Sequence, residues 1–350
     1  MLQCNYHKYR LKFINPGGTS RGVLHEKETF IISLSGTDCG RIAFGECNLF
    51  RGLSDDDRPG YEEKLANICR RLPIEKESVL STLRDWPSIY FGVETLLKDW
   101  ENGCNKIIFP GDFVENKAGI NINGLIWMGT KDEMLFQIKK KLEEGFKCLK
   151  MKIGAIDFES ELEVLHFIRK QFNADEITIR VDANGAFELK DAAEKIKRLS
   201  AFHVHSIEQP IKAGQWQEMA RLVSVSEVPV ALDEELIGIH SSEQKKQLLE
   251  TIRPPFIILK PALAGGFSGS DEWIHLIEKQ GGSWWITSAL ESNIGLNAIA
   301  QYTATKNNTL PQGLGTGKLY SNNFDSPLKI KSGKLFYDKN ARWNMANLAV

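Results

Sequence analysis

Residues 147–172 read KCLKMKIGAIDFESELEVLHFIRKQF, a short apolar run followed by an amphipathic helical pattern. Successive side chains of a strand point to opposite faces, so Leu149 and Met151 share one face of the run and Lys150 and Lys152 share the other. The apolar face serves packing in a core. The lysine face has no such structural use, so it indicates a chemical one.

The same order of strand and then helix recurs along the chain after residue 120. Because a helix separates each strand from the next, the strands are expected to be parallel. Seven or eight units in about 200 residues predict a (β/α)7β-type TIM barrel of the α/β class, with a doubly wound open sheet as the alternative. The predicted strands lie in GLIWMG (124–129), CLKMKIG (148–154), TIRVDANG (178–185), HSIEQP (205–210), VALDEEL (230–236), FIILKPAL (256–263) and WWITSAL (284–290).

The N-terminal part of the chain has a different pattern. Residues 8–14 alternate between charged and apolar side chains, and ETFIISLSG and GRIAFGECNLF follow as further strands before two helical stretches begin. We therefore expect an α+β capping domain over residues 1–103 and a (β/α) barrel domain over residues 104–317. The strand-like SPLKIKSGKLFYD lies in a C-terminal segment, 318–350, that is expected to return to the capping domain.

Composition restricts the partners. The 44 Lys and Arg residues balance 45 Asp and Glu residues, which argues against binding to nucleic acid or to an anionic membrane and favours a small-molecule partner. The six cysteines form no CxxC pair, and the N-terminal stretch lacks the pattern of a signal peptide. We expect reduced thiols and a cytoplasmic protein, whereas its oligomeric state stays open.

Charged side chains stand at the carboxyl end of five consecutive predicted strands. In a barrel these ends converge on one mouth, where active sites lie. The charges are therefore expected to meet at a single site. They are, in chain order, Lys150 and Lys152, Asp182, Glu208, Asp233 and Lys260.

Three carboxylates without histidine or cysteine suit a hard divalent cation, with Mg²⁺ favoured and Mn²⁺ as a substitute. A metal bound to a substrate carboxylate stabilises the enediolate that forms when an α-proton is removed. A lysine close to a second cation and a metal has its pKa lowered, which makes it a base. The grouping therefore predicts a metal-dependent enzyme that abstracts a proton from a small carboxylate substrate.

The motifs KMK, DAN, EQP, LDEE and LKPALAGG, in this order and spacing, resemble the enolase superfamily. The likeness lies with the branch that holds muconate cycloisomerase, dipeptide epimerases and o-succinylbenzoate synthase, and it covers nearly the whole chain. It implies that Lys152 is the general base and that Lys260 lies on the opposite face of the substrate. Lys150 would lower the pKa of Lys152 and contact the substrate carboxylate. The implied Mg²⁺ ligands are Asp182, Glu208 and Asp233.

Within this branch the chain is similar to o-succinylbenzoate synthases, through RVDAN with Arg180, SALES with Ser288, and GLGTG at 313–317. The resemblance implies dehydration of 2-succinyl-6-hydroxy-2,4-cyclohexadiene-1-carboxylate to o-succinylbenzoate on the route to menaquinone. By analogy, Ser20 and Arg21 of the GGTSRG loop would close over the succinyl chain. The alternatives are racemisation of N-acylated amino acids, another reaction of the muconate-cycloisomerase type, and a non-catalytic binding barrel.

Two further carboxylates follow Asp233 in the LDEE motif. Strand alternation predicts that Glu235 shares the face of Asp233 and that Glu234 points away from it. The sequence assigns no role to either residue.

Overall fold

The computed structural model describes residues 2–19, 22–36, 40–346 and 348. The chain begins with a three-stranded antiparallel sheet in the order β1-β2-β3, which agrees with the predicted meander. Its strands are β1 (Leu2–Thr19), β2 (Gly22–Gly36) and β3 (Arg41–Cys47). Three helices follow: α1 (Tyr61–Arg71), α2 (Lys76–Ser81) and α3 (Pro87–Glu101).

Helix α3 lies directly on the antiparallel sheet. A Cβ atom on Gly45 of β3 would overlap the carbonyl oxygen of Gly92 in α3, so only glycine permits this close approach. The carboxylate of Glu94, also in α3, accepts hydrogen bonds from Phe267 N at 2.6 Å and from Ser268 Oγ at 2.5 Å. The helix therefore joins the N-terminal sheet to the rest of the molecule.

Strand β4 (Ile120–Asn121) precedes a seven-stranded parallel sheet whose strands follow one another in chain order. These strands are β5 (Gly124–Ile126), β6 (Cys148–Lys152), β7 (Thr178–Asp182), β8 (Ser206–Glu208), β9 (Val230–Leu232), β10 (Phe256–Leu259) and β11 (Ser283–Ile286). The helices between and after them are α4 (Lys131–Glu143), α5 (Phe158–Gln171), α6 (Leu189–Ser200), α7 (Trp216–Val225), α8 (Ser242–Ile252), α9 (Pro261–Ala264), α10 (Gly266–Lys279) and α11 (Asn293–Thr305).

The parallel strands form because their apolar side chains are buried on both faces, as in α/β proteins whose sheets are covered by helices. Their register aligns the carboxyl ends. Lys152 is the partner of Asp182, and Asp182 is the partner of Glu208. Isolated parallel bridges join Ile122 to Gln312 and Thr287 to Gly313. The fold is thus a mixed α/β fold with a parallel sheet, as the sequence predicts at this level.

The C-terminal strand sequence forms a hairpin of β12 (Leu328–Lys331) and β13 (Lys334–Tyr337). This hairpin pairs with β4 and not with the N-terminal sheet. The preceding residues do reach that sheet, because Ser321 N donates to Lys12 O at 2.9 Å. Within the described ranges, no helix has the length and apolar character needed to cross a membrane.

Candidate active site

The structure brings the charged residues of the strand ends together. Lys152, Asp182 and Glu208 are the last residues of β6, β7 and β8. Asp233 and Lys260 directly follow β9 and β10. Aligned parallel strands place such residues along one edge of the sheet, and the three carboxylates are at most 3% exposed there.

The lysines pair with these carboxylates. Lys150 Nζ lies 2.9 Å from Asp182 Oδ2 and 2.5 Å from Glu208 Oε2, so one ammonium group bridges two strands. Lys152 Nζ lies 3.1 Å from the same Asp182 oxygen. Lys260 pairs directly with Asp233. Buried charges of opposite sign are thus matched at the site, as burial requires.

The pKa directions follow from these pairs. Burial disfavours the ammonium form of Lys150, but the carboxylates of Asp182 and Glu208 outweigh burial and raise its pKa. The pKa of Lys260 is raised in the same way, chiefly by Asp233. Burial and the charge of Asp182 raise the pKa of Glu208 well above its usual value, whereas the lysines overcome burial and lower the pKa of Asp182.

The donor set fits a divalent cation. Three carboxylates at neighbouring strand ends offer hard oxygen ligands, and Glu208 Oε1 is buried without a hydrogen-bond partner. No group of three Asp, Glu, His or Cys side chains in the described chain is already gathered around a common metal position. The ammonium groups of Lys150 and Lys260 pair with carboxylate oxygens at this site.

Asn184 is part of the site, although no role was predicted for it from the sequence. Its Oδ1 accepts a hydrogen bond from Lys152 Nζ at 2.5 Å, and its Nδ2 donates to Glu234 Oε1 at 3.0 Å. Its backbone has φ +45°, a left-handed conformation that asparagine tolerates better than most residues. The DAN motif carried this signal, because Asn184 comes two residues after Asp182.

The expected orientations of Glu234 and Glu235 are wrong. Glu234 faces the site through Asn184, whereas Glu235 accepts from Gln209 Nε2 at 2.9 Å and from Gly214 N at 2.7 Å. Strand alternation does not apply here, because β9 ends at Leu232 and residues 234–236 form a 3-10 turn.

An open cavity lies next to the lysines. Its wall combines segments far apart in sequence. The loop after β3, the end of β5, the segment after β11 and the GLGTG stretch all contribute. The apolar lining residues include Phe50, Leu53, Leu125, Trp127 and Leu290, and the polar ones include Lys150, Lys152, Asp182, Lys260, Ser288 and Thr316.

Besides Lys150, four residues are predicted to bind substrate: Ser288, Arg180, Ser20 and Arg21. Ser288 lines the cavity, and its Oγ lies 2.6 Å from Thr316 Oγ1. Arg180 does not line the cavity, which corrects the expectation. It is 1% exposed within the sheet, where Nη1 donates to Pro311 O at 2.7 Å and the guanidinium stacks on Trp285. Ser20 and Arg21 lie outside the described residues.

Comparisons with known proteins agree with this fold. Residues 133–339 match the family model described as Enolase C-terminal domain-like. The chain is 44% identical to the o-succinylbenzoate synthase of Desulfotalea psychrophila strain LSv54, over 95% of this chain and 98% of that protein. The crystal structure of MenC from Desulfotalea psychrophila LSv54 has a TM-score of 0.84 and 41% identity, and the match covers 96% of this chain and 99% of that one.

A likeness of fold alone extends further. The structure of a dipeptide epimerase from Cytophaga hutchinsonii, complexed with Mg and the dipeptide D-Ala-L-Val, has a TM-score of 0.82 at 18% identity, with coverage of 99% of this chain and 97% of that one. The chain belongs to the enolase superfamily and, at 44% identity over nearly its whole length, to the o-succinylbenzoate synthases within it. Enzymes of this group use a divalent metal ion.

Proposed function

We propose that the protein is a lyase that dehydrates 2-succinyl-6-hydroxy-2,4-cyclohexadiene-1-carboxylate to o-succinylbenzoate, with Mg²⁺ as cofactor, in menaquinone biosynthesis. The observation that carries the proposal is the meeting of three lysines and three buried carboxylates beside a largely apolar cavity. The similarity to an o-succinylbenzoate synthase over nearly the full length supports the substrate.

The residues divide into a metal-binding set and a proton-transfer set. Asp182, Glu208 and Asp233 would hold the cation through their oxygens. When bound, a divalent cation supplies Lewis-acid stabilisation of negative charge on the substrate carboxylate. Mg²⁺ is favoured over softer metals because these ligands are oxygens alone.

Lys152 acts as the base. Its neutral amine takes the proton from the ring carbon that carries the carboxylate, so the C–H bond breaks and an N–H bond forms. The bond between the neighbouring carbon and its hydroxyl oxygen then breaks. That hydroxyl takes the proton back from Lys152 and leaves as water, which returns the amine to its starting state. The ring becomes aromatic, so the elimination has a strong driving force.

Lys260 and Lys150 act through charge. The raised pKa of each keeps its ammonium group protonated near neutral pH. Lys260 would face the substrate opposite Lys152 and stabilise the negative charge that develops in the reaction. Lys150 would contact the substrate carboxylate and hold Asp182 and Glu208 in place. Ser288 would donate a hydrogen bond to the succinyl end of the substrate.

Closure of the parallel sheet into a (β/α)7β barrel is part of the proposal. The support comes from residues 312 and 313, which form parallel bridges beside β5 and after β11. We further divide the chain into a capping domain (1–103), a catalytic domain (104–317) and a C-terminal segment (318–350). The contact between Lys12 and Ser321 is consistent with a segment that returns to the capping domain.

The cellular setting is proposed from composition. Among the described cysteines, Cys4, Cys47, Cys69, Cys104 and Cys148 carry free thiols, as in a reducing compartment. The formal net charge of −1 gives no attraction to nucleic acid or to an anionic membrane. A cytoplasmic enzyme with a small carboxylate substrate fits both observations.

The test is to incubate the purified protein with Mg²⁺ and the cyclohexadiene substrate and to follow the loss of diene absorbance, with a metal-stripped sample as control. Metal-dependent conversion to the aromatic product is the expected result. No conversion by protein that binds Mg²⁺ would reject the synthase assignment. Exchange of the α-proton of N-succinylamino acids with solvent deuterium would then point to racemisation. Absence of both activities would favour a binding protein.

A further inference from the structure

The segment after β11 lines the cavity with a backbone conformation that leucine rarely adopts. Leu290 has φ +62°, in the left-handed region, and both Ala289 and Leu290 line the cavity. A branched side chain at such a φ costs free energy, so the conformation persists only where surrounding contacts hold it. The contacts around this turn therefore bear on the shape of the cavity.

Two buried side chains hold the turn by its carbonyl groups. Asn48 Nδ2 donates to Ala289 O at 3.0 Å, and Tyr320 OH donates to Leu290 O at 2.8 Å. Asn48 is 0% exposed and Tyr320 is 4% exposed. Neither side chain lines the cavity, yet each contacts a residue that does.

The orientation of Asn48 is fixed by charged neighbours. Its Oδ1 accepts from the ammonium group of Lys27, which leaves Nδ2 to face the turn. There Nδ2 also donates to Glu291 Oε1 at 2.8 Å. Lys27 and Glu291 are buried, at 6% and 0% exposure, so an amide between them satisfies both ends in a region that water does not reach.

Asn48 also lies just before a second segment that lines the cavity. Phe50 and Leu53, which follow it within five residues, line the cavity from the side of the N-terminal sheet. One amide thus ties the wall after β3 to the wall after β11. We propose that Asn48 and Tyr320 are positioning residues for the reaction, which hold the Ala289–Leu290 turn and the Phe50 wall at the spacing that the substrate requires.

A matched pair of variants tests this proposal. Tyr320→Phe removes the hydroxyl that bonds Leu290 O. Tyr9→Phe removes a hydroxyl that bonds Asn322 O at 2.7 Å, and Tyr9 does not line the cavity. Loss of one hydrogen bond to the wall should raise KM about five-fold in Tyr320→Phe. Because Lys152 is untouched, kcat should stay close to the wild-type value, and Tyr9→Phe should change neither constant.

Asn48→Ala is the second variant, with a larger expected rise in KM because it loses the bonds to both Ala289 and Glu291. Amide hydrogen exchange of residues 287–292 is measured in parallel. Exchange there should be faster in Tyr320→Phe and Asn48→Ala than in Tyr9→Phe.

The choice of substrate rests on the proposed function, but the exchange measurement does not. If the wild-type protein left the cyclohexadiene unchanged, the proposed function would fail, and exchange alone would decide whether these residues hold the turn. Equal exchange in Tyr320→Phe and Tyr9→Phe would overturn the inference, and so would equal KM values in an active enzyme.

Discussion

Lys152 at the end of β6 and Asp182 at the end of β7 are direct partners in the parallel sheet, and Lys152 Nζ lies 3.1 Å from Asp182 Oδ2. The proposed base is therefore in contact with a proposed metal ligand. Asn184 Oδ1 accepts a hydrogen bond from the same nitrogen of Lys152. Since the lysine contributes a nitrogen and the ligands contribute oxygens, proton transfer and metal binding should be separable by mutation.

Replacement of Lys152 by alanine should remove proton transfer and leave the oxygen ligands in place. We expect kcat to fall by about 10²- to 10⁴-fold, the range found for positioned general acids and bases. Isothermal titration should show that Lys152→Ala still binds Mg²⁺. Lys147→Ala is the control, because Lys147 is exposed just before the same strand. Substantial turnover in Lys152→Ala would contradict the role of this lysine.

Asn184→Ala should lower kcat by about ten-fold, because the side-chain nitrogen of Lys152 loses one of its two described hydrogen-bond partners. KM should change little, since the cavity wall keeps its other residues. Steady-state kinetics on Asn184→Ala and on Asn173→Ala, whose side chain caps an exposed turn, would separate the two effects. A higher KM with unchanged kcat would show that Asn184 binds substrate and does not orient the base.

Lys150→Met should destabilise the metal-free protein. Removal of the ammonium group leaves Asp182 and Glu208 buried without their shared partner, and breaking a buried pair costs about 3–5 kcal/mol. Mg²⁺ should restore more stability to this variant than it adds to the wild type, because the cation can take the place of the ammonium charge between the carboxylates. Urea unfolding with and without Mg²⁺ measures both quantities.

The control for this experiment is Lys131→Met. Lys131 pairs with Glu163 on the surface, and such exposed pairs contribute little to stability. Its unfolding free energy should therefore stay close to that of the wild type at either Mg²⁺ concentration. An equal response to Mg²⁺ in Lys150→Met and in the wild type would argue against a cation site between Asp182 and Glu208.

The clustering of the charged residues at the strand ends was predictable from the sequence, because the βα units recur at regular intervals. Each βα unit spans 25 to 30 residues between these charges, so residues at equivalent positions fall at one edge of a parallel sheet. The sequence could not show how deep in the sheet each of these side chains lies. Arg180 shares the strand face of Asp182, but two residues at about 3.3 Å each place it some 6.6 Å deeper in the sheet.

Other parts of the site depend on contacts between distant segments. Phe50 and Leu290 line one cavity although 240 positions separate them in the sequence. No local sequence pattern predicts a contact over such a separation. The orientation of Glu234 was missed for a local reason, because the strand gave way to a 3-10 turn after Asp233. Patterns in sequence thus predicted what regular elements position, but they did not predict where those elements end or what long loops bring together.

Glu161 should give the protein a measurable pH dependence of stability. It is 1% exposed, and its carboxylate accepts a hydrogen bond from Gly154 N at 2.6 Å in the loop after Lys152. Burial raises the pKa of Glu161 to about 7. Between pH 4.5 and 7 the folded protein thus keeps a proton that the unfolded chain releases, so stability should fall as pH rises through this window.

Glu161→Gln should remove this dependence, because glutamine keeps an oxygen for Gly154 and does not titrate. The free energy of unfolding of the variant minus that of the wild type should be roughly 2–3 kcal/mol larger at pH 8 than at pH 5. Urea unfolding at both pH values gives the difference. Glu163→Gln, on the same helix but exposed, should show no such change. The contradicting result would be a difference in unfolding free energy between Glu161→Gln and the wild type that is equal at pH 5 and pH 8. In that case Glu161 would be ionised at both pH values in the folded protein, and burial would not raise its pKa.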